Sequence, residues 1–164
     1  HVEMNMRRWD VTWMTLMGSF VRDTVAYVSR ERLWGDQGGP VVLGQIENEL
    51  GAEEDEEAAS VRRYADWCGD VATDARPGVV WTMCNGVSSP KTINTCNGAS
   101  CARWLERGGQ SQLVQKEHPA LWTENEGGFQ IWGDDSSAPS DYFWGRTVRD
   151  TAREDLKWVA RGGS

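Results

Sequence analysis

Residues 38–51 read GGPVVLGQIENELG, an apolar run that ends in two carboxylates on either side of an amide. The apolar residues of this run are partly β-branched and occupy both alternating positions, which is typical of a strand inside a parallel sheet. In parallel α/β folds the functional side chains gather where the strands end, because the loops converge there. The run therefore predicts a parallel strand that carries Glu47, Asn48 and Glu49 to a functional site.

The rest of the sequence alternates between helical and strand patterns. Apolar residues recur at steps of three and four in three long segments and, more weakly, in one short segment: residues 9–34, 61–76, 141–161 and 101–107. Short apolar runs predict three further strands: 78–83 (GVVWTM), 92–95 (TINT) and 120–126 (ALWTENE). This alternation predicts an α/β fold in which helices cover a parallel sheet.

The composition limits the classes of partner. The chain has 164 residues, 39% of them hydrophobic, and a formal net charge of -8 with a pI near 4.8. Nucleic acids and anionic membrane surfaces bind clustered Lys and Arg, so neither is expected as a partner. No stretch approaches the roughly 20 apolar residues that a membrane-spanning helix needs. Both ends look internal to a longer protein, so we expect residues 1–164 to be part of a domain.

The four cysteines do not match a zinc site, because neither a CxxC pair nor a matching pair of histidines accompanies them. Cys96 and Cys101 enclose only NGAS and are the candidate pair for a loop disulfide in an oxidising compartment. Four cysteines allow three pairings, and four free thiols are an equally weighted alternative. No metal site is expected.

A second acidic motif follows the last predicted strand. Glu124 belongs to the run ALWTENE, and the aromatic residues Trp122, Phe129 and Trp132 are nearby in the sequence. Two carboxylates that face a cleft with aromatic platforms and amide donors are what hydrolysis of a glycosidic bond requires. The alternatives are helix-capping or solvated loop carboxylates, which are commoner, and a carboxylate cluster for a divalent metal.

Six ordered motifs resemble the catalytic domain of family 35 glycoside hydrolases, the β-galactosidases: GGPVVLGQIENELG, YADWCGDVA, GVVWTMCNG, TINTCNG, ALWTENEGGFQIWG and REDLKWVARGG. The resemblance covers nearly all of the chain. It implies a (β/α)8 TIM barrel, of which residues 1–164 would supply approximately strands four to seven with their helices. Strands one to three and strand eight would have no counterpart in this sequence.

The same resemblance implies roles for single residues. Glu49, which follows Asn48 at the end of strand four, would be the acid/base, and Asn48 would donate a hydrogen bond to the sugar 2-hydroxyl. Glu124 at the end of strand seven would be the nucleophile, and Asn125 would orient it. Phe129 would stack on the substrate where many members carry Trp, and Trp132 is a further candidate for substrate contact.

The leading hypothesis is a retaining exo-β-galactosidase that releases terminal β-linked galactose from glycans or oligosaccharides without a cofactor. A noncatalytic galactoside-binding module is the alternative, and the presence of both glutamates favours the enzyme. A metal-dependent lyase or hydrolase is disfavoured because no histidine is near either acid in the sequence. The resemblance also implies an extracellular, lysosomal or vacuolar location, whereas the oligomeric state does not follow from the sequence.

Overall fold

The computed structural model describes residues 4–51, 57–98, 101–106, 118–125 and 148–163. Contacts divide the chain into two compact units, His1–Asn94 and Thr95–Ser164. Within the described residues the helices are α1 (Val11–Arg30), α2 (Glu57–Ala75), α3 (Cys101–Glu106) and α4 (Val148–Ala160). The strands are β1 (Leu43–Leu50), β2 (Val80–Gly86), β3 (Ile93–Asn97) and β4 (Trp122–Glu124). The α/β class predicted from the sequence is confirmed.

The strand pairs are parallel, as the alternation of strands and helices predicts. The order in the sheet is β1-β2-β3-β4. In the pair β1–β2 Asn48 aligns with Cys84, and in the pair β3–β4 Asn97 aligns with Glu124. Because parallel strands end at the same edge, the last residues of each pair are neighbours.

Helix α1 begins where Asp10 caps it. The Asp10 carboxylate accepts a hydrogen bond of 3.0 Å from the backbone N–H of Trp13, which satisfies one of the free donors of the first turn. The helix ends at Arg30, earlier than the apolar spacing predicted, because Arg32 adopts a φ of +56° and leaves the helical region. Neither α1 nor another helix in the described part of the chain is long and apolar enough to cross a membrane.

Strand β1 carries the acidic motif, as the sequence predicted, and extends one residue beyond it. The apolar residues 41–46 predicted the strand, but it begins at Leu43 and continues to Leu50. Ile46 and Leu50 are buried, whereas Val42 and Leu43 are 74% and 41% exposed. The sequence predicted that the apolar run is buried on both faces. This prediction is wrong for the start of the run, where Val42 and Leu43 are exposed.

A β-bulge interrupts the alternation of β1. Gln45 pairs with Thr82 and Glu47 pairs with Met83, so Ile46 is an extra residue on the β1 side. An extra residue shifts the alternation of all side chains that follow it. The faces of Glu47 and the residues after it consequently cannot be derived from the spacing of the apolar residues before the bulge.

The core of the first unit is built on α2, which packs against α1, β1 and β2. Its fully buried residues recur at steps of one, three and four: Val61, Tyr64, Ala65, Cys68 and Ala72. These positions follow the helical period predicted for residues 61–76, which is confirmed. The opposite face of α2 is polar, so the helix needs only one buried side to be held on the sheet.

The second unit has its own small core around the β3–β4 pair and α4. Trp122 of β4 packs against Trp158 of α4, with 5.5 Å between the ring centroids. A disulfide joins Cys96 in β3 to Cys101 at the start of α3, with 5.8 Å between their Cα atoms. This is the pairing that the short spacing between the two cysteines indicated.

Gly86→Ala should destabilise the protein more than Gly78→Ala does. Both glycines have positive φ, +62° and +83°, where alanine costs about 1–2 kcal/mol. A Cβ at position 86 would also overlap the carbonyl oxygen of Leu50, whereas nothing lies within 4 Å of a Cβ at position 78. Denaturant titration of the whole domain that contains these residues should give a free energy of unfolding about 2 kcal/mol lower for Gly86→Ala than for Gly78→Ala. Equal losses would contradict this close approach of β1 and β2.

Candidate active site

Glu47, the first carboxylate of the ENE motif, binds Arg7 through both oxygens. Arg7 Nε donates to Oε1 at 3.0 Å and Arg7 Nη2 donates to Oε2 at 2.9 Å, and the Glu47 side chain is only 9% exposed. Arg7 Nη2 also donates to the backbone carbonyl of Asn48. The hydrogen bonds and the charge of Glu47 raise the pKa of Arg7. Glu47 is therefore held in an ion pair.

Two neutral side chains of α2 lie near this ion pair. Tyr64 and Cys68 are both fully buried. Burial raises the pKa of Cys68 to about 12 and also raises the pKa of Tyr64, and the charge of Glu47 acts in the same direction on both. Both groups are consequently uncharged near neutral pH, and Arg7 compensates the charge of Glu47.

Asn48 belongs to a hydrogen-bond network around the thiol of Cys84. The Cys84 thiol donates to Asn48 Oδ1 at 2.8 Å, and Gln45 Nε2 donates to the same oxygen at 2.9 Å. The Cys84 sulfur accepts from Gln45 Nε2 at 3.6 Å and from the backbone N–H of Glu49 at 3.3 Å. We call these four residues the Cys84 network. It ties the end of β1 to β2.

Glu49, the second carboxylate of the motif, is exposed and has an unusual backbone conformation. Its φ is +50°, in the left-handed region that costs a residue with a Cβ about 1–2 kcal/mol. Glu49 lies between the paired positions 48 and 50 and faces Asn85 of β2, whose φ is also positive at +45°. Both strands therefore leave the extended conformation at the same level, a kind of backbone strain that is common at functional sites.

Glu124 ends β4 in the second unit, and its side chain is exposed. Its backbone carbonyl accepts hydrogen bonds from the N–H of Gly98 at 2.8 Å and from the indole Nε1 of Trp122 at 2.9 Å. The hydroxyl of the preceding Thr123 donates to Asn97 Oδ1 at 2.7 Å. The backbone that carries Glu124 is thus fixed by β3, by Gly98 directly after β3 and by the Trp122 side chain.

The other residues predicted for the second motif are less completely described. Asn125 Nδ2 donates to Asp155 Oδ1 of α4 at 2.6 Å, so this amide has a partner other than the one predicted, and its role toward Glu124 stays a prediction. Phe129 and Trp132 lie outside the described residues. The structure brings Asn48 and Glu49 together in the first unit, while Glu124 belongs to the second.

Sequence reasoning did not predict three residues around the ENE motif: Arg7, Gln45 and Cys84. Arg7 is 40 residues away from Glu47 in the sequence, and no short motif connects the two. Cys84 did have a signal, because it is near the end of the predicted strand GVVWTM, and neighbouring parallel strands bring their ends together. Gln45 could not be placed relative to the motif from the sequence, because the bulge at Ile46 changes the alternation of side chains between Gln45 and Glu47.

Residues 1–157 match the sequence profile of Glycosyl hydrolases family 35. The chain belongs to this family. It is 33% identical over 159 residues to "Probable beta-galactosidase 2" of Dictyostelium discoideum, an alignment that covers 96% of this chain and 19% of that protein.

Two proteins of Arabidopsis thaliana are similarly related to this family 35 chain. "Beta-galactosidase 10" is 33% identical over 93% of the chain and 19% of its own length. "Beta-galactosidase 8" is 35% identical over 90% of the chain and 16% of its own length. The family 35 chain therefore spans about a fifth of the length of the curated relatives it matches.

Arg7→Met and Glu47→Gln should each destabilise the longer protein that contains this family 35 chain, and the double variant should lose less than the sum of the two. The Glu47 side chain is 9% exposed and that of Arg7 is 41% exposed, so the pair is intermediate between a surface and a buried ion pair. We expect a coupling free energy of about 1–2 kcal/mol from denaturant titration of the four proteins.

The pair Arg76–Asp36 is the matched control for this measurement. Arg76 Nη2 contacts both oxygens of Asp36, at 2.8 and 2.6 Å, but the Asp36 side chain is 67% exposed. The same cycle with Arg76→Met and Asp36→Asn should give a coupling below about 1 kcal/mol. Equal coupling in the two pairs would contradict the argument from the burial of Glu47.

Proposed function

We propose that residues 1–164 form part of the catalytic barrel of a retaining exo-β-galactosidase, approximately strands four to seven with their helices. Family membership and the names of the related proteins support this proposal. The described strands support it as well, because Glu49 and Glu124 both lie at the carboxyl ends of parallel strands, where barrel enzymes carry their catalytic groups. The remaining strands would come from the complete protein, meaning the longer chain that carries these residues.

The observation that carries the proposal is the difference between the two carboxylates of the ENE motif. Glu47 has both oxygens occupied by Arg7 and a side chain that is 9% exposed, so it is not available to a substrate. Glu49 is exposed at the strand end. The motif therefore presents one reactive carboxylate, and this is the residue that the family resemblance assigns as the acid/base.

In the proposed mechanism Glu124 attacks the anomeric carbon of the terminal galactose while Glu49 protonates the leaving oxygen. A covalent galactosyl–enzyme forms, and Glu49 then accepts a proton from the water that releases the sugar. Retention requires the two carboxyl groups to be about 5–5.5 Å apart in the complete barrel. No cofactor enters any step of this two-carboxylate mechanism.

We further propose that the protein works in an oxidising compartment, outside the cell or in a lysosome or vacuole. The disulfide between Cys96 and Cys101 supports this location, because disulfides persist in oxidising environments and are rare in the cytosol. The disulfide joins the carboxyl end of β3 to the first residue of α3. The protein in its native compartment should contain this disulfide after non-reducing digestion and mass spectrometry.

Glu124→Gln and Glu49→Ala should affect turnover differently in the complete protein. Every substrate needs the nucleophile, so Glu124→Gln should abolish formation of the galactosyl–enzyme with all galactosides. A good leaving group departs without a proton, so Glu49→Ala should lose about 100-fold or more on natural galactosides and much less on an aryl galactoside with an acidic phenol. Steady-state rates of each variant on a natural galactoside and on the aryl galactoside measure the two losses.

The exposed Glu31 at the end of α1 provides the control, and Glu31→Ala should leave both rates unchanged. Mass spectrometry with a slow fluorinated galactoside adds a direct test, because the covalent adduct should form on the parent protein and not on Glu124→Gln. Equal losses on both substrates for Glu49→Ala would exclude Glu49 as the acid/base.

Expression of residues 1–164 alone should give an aggregated or loosely packed protein without turnover. Val42, Leu43 and Val80 are 74%, 41% and 46% exposed, an apolar surface at the start of β1 and β2 that the rest of a barrel would cover. Thermal unfolding and hydrolysis of a chromogenic β-galactoside are the two measurements. A cooperative transition together with turnover would contradict the assignment of the chain as part of a barrel.

A further inference from the structure

We propose that the buried thiol of Cys84 is a positioning residue that fixes the Asn48 amide so that its Nδ2 group faces the sugar. The proposal rests on the proposed function, in which Asn48 donates to the 2-hydroxyl of galactose. It assigns a task to a side chain that is 1% exposed and therefore touches no substrate itself. The Cys84 network defined above carries the argument.

The donors and acceptors of the network determine the orientation of the amide. A thiol has one hydrogen, and Cys84 donates it to Asn48 Oδ1 at 2.8 Å. Gln45 Nε2 donates to the same oxygen at 2.9 Å. Two donors converge on Oδ1, so exchanging the positions of Oδ1 and Nδ2 would set Nδ2 against the Gln45 Nε2 donor and leave the Cys84 thiol hydrogen without this acceptor. The oxygen therefore faces β2, and Nδ2 points to the other side of the planar amide.

The same sulfur also anchors the backbone next to the acid. It accepts the N–H of Glu49 at 3.3 Å, at the residue whose φ is +50°. A residue other than glycine keeps a left-handed backbone conformation only where the surrounding structure stabilises it. The hydrogen bond to the Cys84 sulfur supplies part of this stabilisation. Cys84 consequently couples the orientation of the Asn48 amide to the backbone position of Glu49.

A sulfur atom suits this position because its contacts are long. Three groups of β1 surround it at 2.8, 3.3 and 3.6 Å, and hydrogen bonds to oxygen would be shorter than the last two of these. A serine hydroxyl keeps the donor to Asn48 Oδ1 but cannot reach all three groups equally well. Alanine removes the donor and both acceptor contacts.

The test uses the complete protein and two substrates, an aryl β-galactoside and its 2-deoxy analogue, which lacks the hydroxyl that Asn48 would bind. In the parent protein the ratio of the two kcat/KM values measures the contribution of the 2-hydroxyl. Cys84→Ala should lower kcat/KM for the aryl galactoside about 10- to 100-fold more than for the 2-deoxy analogue, whose smaller loss reports the released backbone of Glu49. The ratio should therefore fall by the same factor.

Two further variants separate positioning from folding. Cys84→Ser retains a donor for Asn48 Oδ1 and should recover most of the lost ratio. Cys68→Ala removes another fully buried thiol from the same unit and should keep the parent ratio, even if it lowers the thermal midpoint. Because the ratio compares two substrates on one protein sample, a variant that is only partly folded does not change it.

The possible outcomes distinguish the two proposals. Equal losses on both substrates for Cys84→Ala, or no loss, would overturn the role of Cys84 and leave the galactosidase function intact. A ratio that Cys84→Ser fails to restore in any part would also overturn it, since the serine still supplies the donor. A parent protein that hydrolyses neither galactoside would overturn the proposed function, and the role of Cys84 would fall with it.

Discussion

The parallel pairing of β1 with β2 is the constraint on which the rest of the first unit depends. Its register places Cys84 beside Asn48, and the Cys84 network follows directly from that alignment. Gly44 leaves room for the side chain of its partner on β2, because a Cβ at this position would overlap the ring of Trp81. α2 then covers the pair with the fully buried residues of its apolar side. A register shifted by one residue would separate Cys84 from Asn48 and turn the motif to the other face.

Packing gives two chemically identical side chains different properties. Glu47 is nearly enclosed and has both oxygens bound by Arg7, whereas Glu49, two residues later, is exposed. An ion pair at this depth is stable only if both charges keep their partners, so Arg7 and Glu47 form one structural unit. The residue type alone therefore does not say which glutamate of the motif can act on a substrate.

The sequence predicted the elements whose signal is local, and it failed where distant residues decide. The apolar period of α2 was sufficient to place Tyr64 and Cys68 in the core. The end of α1 was predicted too late, because the left-handed backbone at Arg32 leaves no trace in the apolar spacing. The bulge in β1 arises from pairing with β2, so the sequence of β1 alone could not reveal it.

For the candidate site, too, local sequence signals were readable from the sequence, whereas contacts between distant residues were not. Motif resemblance names Glu49 and Glu124 as candidates, since it depends on short continuous stretches of sequence. The environment of Glu49 was not accessible in this way, because Arg7 comes from 40 residues before Glu47 and Cys84 from the next strand. Physical contacts between separated segments are the information that a single sequence does not contain.

The left-handed backbone at Glu49 shows how these contacts act together. This conformation costs about 1–2 kcal/mol and needs support from the surrounding structure. Arg7 binds the carbonyl of Asn48 on one side of the Glu49 residue, and the Cys84 sulfur binds the N–H of Glu49 itself. Each such bond contributes about 1 kcal/mol, so together they are of the size needed to offset the strain. The exposed carboxylate of Glu49 is thus carried by a backbone that is fixed from both β2 and the segment before α1.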